Sequence, residues 1–293
     1  MSRAELERRH ERLGQVSPEV GELDEGALAG ALADDLDEGL SMLVDLSRAT
    51  DARLREKALR LAAALILPAA RAAGASPPGG SSRLGRVPDA GVDLDLDWTL
   101  ERLAERPHLS ADDLRWRGWQ RPGRVVVLVV DASGSVTGSP LNAALVTAAA
   151  LANRTGDRDQ LGVIAFWSRA VVLRHVNDPS PPASVLTRLL ALRGGDTTDL
   201  AGGIRAGLGQ IAKAVPARRD LVLLTDGMAN EGDDPVPAAA AAAGCGARLH
   251  VLALRPEPEA RQACMELAAA GGGVMEELDR TAQAPSALAR MLT

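Results

Sequence analysis

The sequence predicts an α/β protein in which a doubly wound, mostly parallel sheet of six strands follows a helical N-terminal extension. From residue 124 onward, short apolar strand patterns alternate with helical patterns, which is typical of a parallel sheet covered by helices. Residues 125–130, VVVLVV, are continuously apolar, as expected of a strand that is buried on both faces. The first 75 residues show helical periodicity instead, so we place them outside the sheet.

The chain of 293 residues is longer than one ordinary domain, so we expect an additional smaller region. Residues 74–88, GASPPGGSSRLGRVP, concentrate glycine, proline and serine, as linkers and surface loops do. We therefore divide the chain into a helical N-terminal region at residues 1–75, a linker and edge segment at 76–120, and an α/β domain at 121–293.

Composition narrows the classes of function. The formal net charge is −6 and aromatic residues make up 2%, which disfavours binding to nucleic acid through phosphate contacts or base stacking. Cys245 and Cys264 are the only cysteines, and two thiols in no CxxC pair indicate a reducing compartment. The N-terminus shows no secretory signal, and the longest apolar stretch, residues 59–70, is too short to span a bilayer. We expect a cytoplasmic protein that does not contact a membrane.

In the N-terminal region, Leu54, Ala58, Leu61 and Leu65 recur at helical spacing, and Thr50 or Asp51 is available as the N-cap. Such a stripe usually packs against a core, although a partner-binding helix would show the same pattern. The sequence favours packing against the main domain.

Residues 91–98, GVDLDLDW, alternate aspartates with apolar side chains and predict a half-buried strand. Asp93, Asp95 and Asp97 would then share one face, which is more often solvated than bound to a cation. Residues 99–105 follow with a helical pattern that Pro107 is expected to end.

Residues 115–124, RWRGWQRPGR, combine arginine with tryptophan directly before the first buried strand. These residue types are enriched at interface hot spots. They also suit partly exposed packing, in which tryptophans cover a sheet edge and arginines stay solvated, and we favour that interpretation. A nucleic-acid patch is the least favoured alternative.

The α/β domain has its strand and helix patterns in regular order. Strands are predicted at residues 125–130, 161–167, 170–176, 221–225, 248–254 and 273–278, and the second and third of them should pair as antiparallel neighbours. Helices are predicted at residues 141–152, 185–192, 200–214, 237–243, 258–270 and a last segment through residue 288.

The first buried strand runs directly into Asp131, Ser133 and Ser135, three oxygen-bearing side chains spaced by two, with Gly134 permitting a tight turn. In open α/β sheets, ligands bind outside the carboxyl ends of the strands. A carboxylate and two hydroxyls are hard oxygen ligands that suit Mg²⁺ or Mn²⁺ better than zinc or copper. Alone, the DxSxS pattern is short and occurs by chance.

Two further segments add weight to this pattern. Residues 194–200, GGDTTDL, place hydroxyls in a glycine-rich loop before a helix, and residues 221–227, LVLLTDG, end a buried strand at Asp226. A doubly wound sheet would bring all three loops to one edge. With these three motifs in this order, residues 124–292 resemble the von Willebrand factor A family, whose metal-ion-dependent adhesion site combines a DxSxS loop, a threonine loop and a strand-terminal aspartate followed by glycine.

The resemblance implies that the domain at residues 121–293 has the Rossmann-like fold of that family and binds Mg²⁺ or Mn²⁺. It implies a set of metal ligands in which Thr198 is favoured as the threonine, with Thr197 as the alternative. Asp199, at the start of a helix, is expected to be a helix N-cap or to support a ligand rather than to bind the metal itself. The implied ligands are Asp131, Ser133, Ser135, Thr198 and Asp226. The family's site leaves a coordination position for an aspartate or glutamate of a partner protein, which is the function we expect here.

An enzymatic function is not expected, because the sequence lacks a recognisable nucleophile–base pair. His10, His108, His175 and His250 lie away from the three loops, and Ser133 does not stand in a G-x-S-x-G elbow. The alternative is a metal-dependent hydrolase or phosphatase that uses Asp131 and Asp226.

Intracellular relatives in this family include subunits of magnesium and cobalt chelatases, and proteins encoded with MoxR-type AAA+ ATPases that mature or insert cofactors into client enzymes. A helical extension before the A domain is similar to the second group. The sequence contains no Gly-x-x-x-x-Gly-Lys-Ser/Thr loop, so any ATPase would be a separate protein. The resemblance therefore implies an adaptor for a MoxR-type ATPase in the maturation, metal insertion or remodelling of a client.

Overall fold

A computed structural model describes the chain in two compact units, residues 1–78 with 124–293, and residues 79–123. The described residues are 1–73, 83–87, 93–105, 114, 116–120, 123–134, 138–156, 158–214, 218–227 and 229–292. Pro107 and His108 lie outside them, as do Ser135 and the glycine-rich stretch at 74–82.

The larger unit contains the six-stranded sheet that the sequence predicts. Its order is β6-β5-β4-β7-β8-β9, and every neighbouring pair is parallel except β5 with β6. The strands are β4 (Arg124–Asp131), β5 (Gln160–Phe166), β6 (Ala170–Arg174), β7 (Arg218–Thr225), β8 (Ala247–Leu254) and β9 (Gly272–Leu278). The α/β class, the strand number and the antiparallel third strand are confirmed.

Helices cover both faces of this sheet. They are α7 (Ser139–Arg154), α8 (Val185–Leu190), α9 (Leu200–Ile211), α10 (Pro235–Gly244), α11 (Pro258–Ala270) and α12 (Ala284–Met291). Alternate residues of β4 enter two different cores: Val126 and Leu128 pack with α7, α8 and α12, while Val127 and Val129 pack with α9, α10 and α11. This explains the unbroken apolar run in β4, since both of its faces are buried.

The N-terminal region forms five helices within the same unit: α1 (Arg3–Arg9), α2 (Leu13–Val16), α3 (Glu25–Asp34), α4 (Leu36–Ser47) and α5 (Ala52–Ala72). Leu54, Ala58 and Leu65 of α5 are buried in the core that contains α7, so the predicted packing of this stripe is confirmed. Asp51 is the N-cap of α5 and accepts hydrogen bonds from two backbone amides of the first turn.

Hydrogen bonds between side chains and backbone also join the N-terminal helices to α7. Asn142 Nδ2 donates to the backbone oxygen of Asp37 at 3.1 Å and to Ser41 Oγ at 2.8 Å. Near the other end of α7, Asn153 Nδ2 donates to the backbone oxygen of Leu67 at 3.0 Å. The helical extension is therefore part of the same core as the sheet, held at both ends of α7.

The smaller unit contains β1 (Arg83–Val87), β2 (Asp93–Leu94), β3 (Trp116–Gln120) and α6 (Leu96–Glu105). Its three strands form an antiparallel sheet of order β1-β3-β2. The segment rich in arginine and tryptophan supplies its central strand, and Arg117 pairs with Asp97 at 2.7 Å and with Asp95 at 3.4 Å.

The predicted strand at residues 91–98 is wrong at residues 95–98, while residues 91–92 lie outside the described residues. Asp93–Leu94 is a strand, and the chain enters α6 at Leu96. Asp95 explains the change, because its Oδ1 atom accepts a hydrogen bond from the backbone amide of Trp98 at 3.3 Å and so caps the helix. The three aspartates consequently do not share one strand face.

None of the helices in the described ranges is long and apolar enough to cross a membrane. Both cysteines are free; Cys245 is exposed and Cys264 is buried.

Candidate functional site

The site lies where the order of the strands reverses. The chain leaves β4 for α7 on one face of the sheet and returns to β5, whereas β7 lies on the other side of β4 and follows α9 on the opposite face. Because the connections depart to opposite faces, the loops after β4 and β7 separate and leave a cleft at the carboxyl ends of the strands. Three predicted ligands lie in this cleft.

The first loop begins at Asp131, the last residue of β4. Its Oδ1 atom accepts a hydrogen bond from the backbone amide of Ser133 at 3.0 Å, which folds the loop back over the end of the strand. Gly134 follows with φ of 67°, a left-handed conformation that costs glycine little. Asp131 and Ser133 are both half-buried, while the third predicted residue of this loop, Ser135, lies outside the described residues.

The second loop begins at the end of β7. Thr225 Oγ1 donates a hydrogen bond to Asp131 Oδ2 at 2.7 Å and accepts one from the amide of Gly227 at 3.0 Å. Asp226 is exposed beside it. Sequence reasoning missed Thr225; the signal available was a hydroxyl directly before the strand-terminal aspartate, on the strand that neighbours β4.

The third loop, residues 194–199, lies against the first. The amide of Gly195 donates to the backbone oxygen of Ala132 at 3.3 Å, and Ser133 and Gly195 form an isolated parallel bridge. Thr198 is only 3% exposed, and Thr197 is half-buried. The structure thus brings the threonine loop beside the DxSxS loop, although neither threonine is among the residues that line the cleft.

Asn230 fastens the threonine loop to the segment after β7. Its Oδ1 atom accepts a hydrogen bond from the amide of Thr198 at 2.7 Å, and the amides of Asn230 and Glu231 both donate to the backbone oxygen of Thr198 at 3.3 Å. The backbone amide and the backbone carbonyl of Thr198 therefore both have hydrogen-bond partners in the segment that follows β7. No sequence pattern singled out Asn230, because the contact spans 32 residues.

Asp199 caps α9, as predicted, and its Oδ1 atom accepts a hydrogen bond from the amide of Gly202 at 2.8 Å. A carboxylate at a helix N-terminus also interacts favourably with the helix dipole. Asp199 thereby fixes where the threonine loop ends and the helix begins.

The cleft has a volume of about 40 Å³. It is lined by Asp131, Ser133, Pro140, Leu224, Thr225, Asp226 and Leu254. Burial raises the pKa of Asp131 above its ordinary value, and the charge of Asp226 adds to that rise, although hydrogen bonds from Ser133 and Thr225 oppose it. Two carboxylates and a hydroxyl in a small, partly buried cleft suit a hard divalent cation, because a cation offsets the repulsion between the two carboxylates.

Over the described ranges, no three His, Cys, Asp or Glu side chains converge as a metal site. A cation in this cleft would therefore need hydroxyl oxygens in addition to the two carboxylates. That oxygen-only set favours Mg²⁺ or Mn²⁺ over metals that prefer nitrogen and sulfur.

Two of the described histidines, His10 and His250, form hydrogen bonds outside the cleft. His250 Nδ1 accepts a hydrogen bond from the amide of Val274 at 3.3 Å, so its Nε2 carries the proton that faces Asp220 Oδ1, also at 3.3 Å. His10 Nε2 lies 2.9 Å from Asp45 Oδ2, between α1 and α4. Neither His10 nor His250 is among the residues that line the cleft.

The chain is therefore an α/β protein of the doubly wound class, with a cleft lined by carboxylate and hydroxyl oxygens where the order of the strands reverses. The family model described as von Willebrand factor type A domain matches residues 126–289, and the chain belongs to that family. The match begins within β4 and ends within α12, and it includes all the loops described above.

Two curated relatives share part of this region. The chain is 36% identical over 111 residues to the uncharacterized protein sll0103 of Synechocystis sp., and 37% identical over 123 residues to the uncharacterized protein Rv2850c of Mycobacterium tuberculosis. These alignments cover 36% and 40% of this chain, but only 26% and 19% of the relatives' own lengths.

Among solved structures, an aerotolerance-related membrane protein from Bacteroides fragilis, carrying multiple mutations to serine, is similar with 22% identity and a TM-score of 0.47. The similarity covers 59% of this chain and 98% of that one.

Proposed function

We propose that this chain is a divalent-metal-dependent protein interaction module, which docks a partner through an aspartate or glutamate of that partner. The observation that carries the proposal is the convergence of Asp131, Ser133 and Asp226 on one cleft at the carboxyl edge of the sheet. The membership of residues 126–289 in the von Willebrand factor type A family supports it.

The residues present fit Mg²⁺ or Mn²⁺. Asp131, Ser133 and Asp226 would hold the ion, with Ser135 and Thr198 completing the set. Each carboxylate oxygen of Asp131 accepts one hydrogen bond, Oδ1 from the amide of Ser133 and Oδ2 from the hydroxyl of Thr225, and each oxygen retains a further lone pair. When bound, the cation would offer a coordination position to one more oxygen ligand.

Charge explains why that further ligand is a carboxylate. Two aspartates neutralise the dication formally and the hydroxyls add no charge, while Mg²⁺ keeps a near-octahedral shell that this cleft cannot complete. Water fills such positions in a free site. An anionic oxygen from a partner replaces water favourably, because the cleft is partly shielded from solvent.

We further propose a MoxR-type AAA+ ATPase as the partner machinery, with maturation, metal insertion or remodelling of a client as the outcome in the cytoplasm. The helical extension supports this, since five helices share the core of α7, the helix that follows the DxSxS loop. A force or contact on those helices would act on α7 directly.

The first experiment measures Mg²⁺ and Mn²⁺ binding by isothermal titration calorimetry on the full chain. Asp131→Ala and Asp226→Ala should each abolish binding while keeping the far-ultraviolet circular dichroism of the wild type. Glu56→Gln is the matched control, because Glu56 is an exposed carboxylate on α5. Wild-type affinity in both aspartate variants would overturn the metal site.

The second experiment captures partners on immobilised chain with Mg²⁺ and with EDTA, beside Asp131→Ala. The expected result is an acidic partner that is retained only by the wild type with Mg²⁺. Retention that is equal with EDTA and in the variant would overturn metal-dependent docking. Mg²⁺-dependent release of phosphate or nitrophenol from generic esters, lost in Asp131→Ala, would support the hydrolase alternative instead.

A further inference from the structure

A second depression opens beside the cleft, between the first turn of α10 and the middle of α11. We call it the α10–α11 groove. It has a volume of about 310 Å³, whereas one water molecule needs roughly 10–15 Å³, so a long side chain fits into it. Leu200 and Leu267 line it and are buried, while Pro235, Val236 and Ala263 line it nearer the surface. Its walls are therefore mostly apolar.

The groove and the cleft meet at consecutive residues, because Asp226 lines the cleft and Gly227 lines the groove. Gly227 is pressed against α11: a Cβ at this position would lie 2.7 Å from Cys264 Sγ and 2.9 Å from the backbone oxygen of Ala260. The segment after β7 thus lies directly on the helix that forms one wall of the groove. An extended peptide advances about 3.3–3.6 Å per residue. A peptide with one carboxylate at Asp226 therefore brings its residues a few positions away to the groove.

Two exposed carboxylates, those of Asp234 and Glu266, also line the groove. Asp234 caps α10, and its Oδ1 atom accepts a hydrogen bond from the amide of Val236 at 3.0 Å. Glu266 Oε1 accepts one from Gln262 Nε2 at 2.9 Å. Among the residues that the structure describes, no Lys, Arg or His forms an ion pair with either carboxylate. Apolar walls with two carboxylates match a side chain that has an aliphatic stem and a cationic end.

We propose that the α10–α11 groove receives a lysine or arginine of the partner, so that the docked segment carries an acidic residue for the metal and a basic residue a few positions away. The aliphatic stem lies against the apolar walls, and the cationic end pairs with Asp234 and Glu266. This inference rests on the proposed metal-dependent docking and adds the chemistry of the partner. A segment with acidic residues alone would leave the groove empty and bring like charges beside its two carboxylates.

The test begins with a peptide library in which one fixed aspartate is flanked by random positions. The library is selected on the Mg²⁺-loaded full chain and released with EDTA, and we expect lysine or arginine to be enriched near the aspartate. A groove variant that combines Asp234→Asn with Glu266→Gln should lose this enrichment. Both substitutions keep the size of the side chain, and asparagine still caps a helix.

The matched control combines Glu257→Gln with Glu259→Gln. These two carboxylates are exposed at the start of α11 and are not among the residues that line the groove. The control therefore removes the same charge from the same part of the molecule, and it should keep the enrichment of basic residues.

The best peptide, labelled with fluorescein, is then titrated by anisotropy. The groove variant should weaken its binding about three- to tenfold, because exposed ion pairs contribute modestly. Replacing the basic residue of the peptide by norleucine, which keeps an aliphatic stem, should cause a similar loss against the wild type and no further loss against the groove variant. Calorimetric Mg²⁺ affinity of the groove variant should stay within a few-fold of the wild type, since neither substituted residue lines the cleft.

The outcomes separate the two proposals. EDTA-released peptides without enriched basic residues, or equal enrichment on the groove variant, would overturn the role of the groove alone. Enrichment that is lost in the control as well would reveal a general effect of charge and would also overturn that role. Peptide binding that is indifferent to EDTA would overturn metal-dependent docking and this inference with it.

Discussion

The hydroxyl of Thr225 donates a hydrogen bond of 2.7 Å to Asp131 Oδ2 and so joins the ends of two neighbouring parallel strands. The same oxygen accepts the amide of Gly227, which holds the chain just after Asp226. One threonine thus orients both carboxylates of the cleft.

Thr225→Val should weaken Mg²⁺ binding about 10- to 100-fold, because groups that orient metal ligands contribute on that scale. The variant keeps the β-branched shape and loses only the hydroxyl. Thr225→Ser is the control, since it keeps the hydroxyl and should bind within a few-fold of the wild type. Isothermal titration calorimetry measures the Mg²⁺ affinity of both variants. Equal affinities in the valine and serine variants would show that the hydroxyl does not orient Asp131.

Asn230→Ala should also weaken Mg²⁺ binding, by about tenfold, if Thr198 belongs to the metal shell. The variant removes the acceptor of the 2.7 Å hydrogen bond from the amide of Thr198 and leaves that buried amide without its partner. Asn230→Asp keeps an acceptor oxygen at this position and should restore binding. An alanine variant with wild-type affinity would argue that the threonine loop does not contribute to the site.

Two glycines of α9 give opposite predictions for stability. A Cβ at Gly203 would lie 2.6 Å from the ring of Phe166, whereas nothing lies within 4 Å of a Cβ at Gly209. Gly203→Ala should therefore lower the free energy of unfolding by about 1–3 kcal/mol through overpacking. Gly209→Ala should raise it by about 0.5–1 kcal/mol, because alanine loses less backbone freedom in a helix. Urea unfolding measures both, and a stable Gly203→Ala would contradict the close packing of α9 on β5.

The ionisation of Asp45 should make the stability of the fold depend on pH. Burial raises the pKa of Asp45, but hydrogen bonds from His10 and Arg9, together with their charges, outweigh that effect and hold the pKa below its ordinary value. A lowered pKa in the folded state means that the carboxylate stabilises the fold above its unfolded pKa of about 3.9, and that this contribution is lost as the pH falls through the folded value.

Asp45→Asn should accordingly lower the free energy of unfolding at neutral pH by about 1–3 kcal/mol. The difference from the wild type should shrink as the pH falls below about 4. Asp34→Asn is the control, since its 2.7 Å pair with Arg12 is exposed and should change stability little at either pH. A difference for Asp45→Asn that is constant across this pH range would contradict the assignment.

The fold was predictable because its signals are local and repeated. Periodicity in the sequence identifies each strand and helix of residues 124–292, since burial on one or both faces determines which positions are apolar. The clear failure, at residues 95–98, arose because the alternating pattern extends over only a few residues, and the cap formed by Asp95 favours a helix there.

Part of the candidate site was likewise predictable from the sequence, and part of it was not. The sequence by itself determined that Asp131, Ser133 and Asp226 meet, because each lies at or just beyond the carboxyl end of a buried strand and those ends share one edge. Only the tertiary structure identified Thr225 and Asn230. Their roles depend on strand register and on a loop contact between residues far apart in the chain. Local patterns carry no information about such contacts, because the distance between two loops is decided by how the whole core packs.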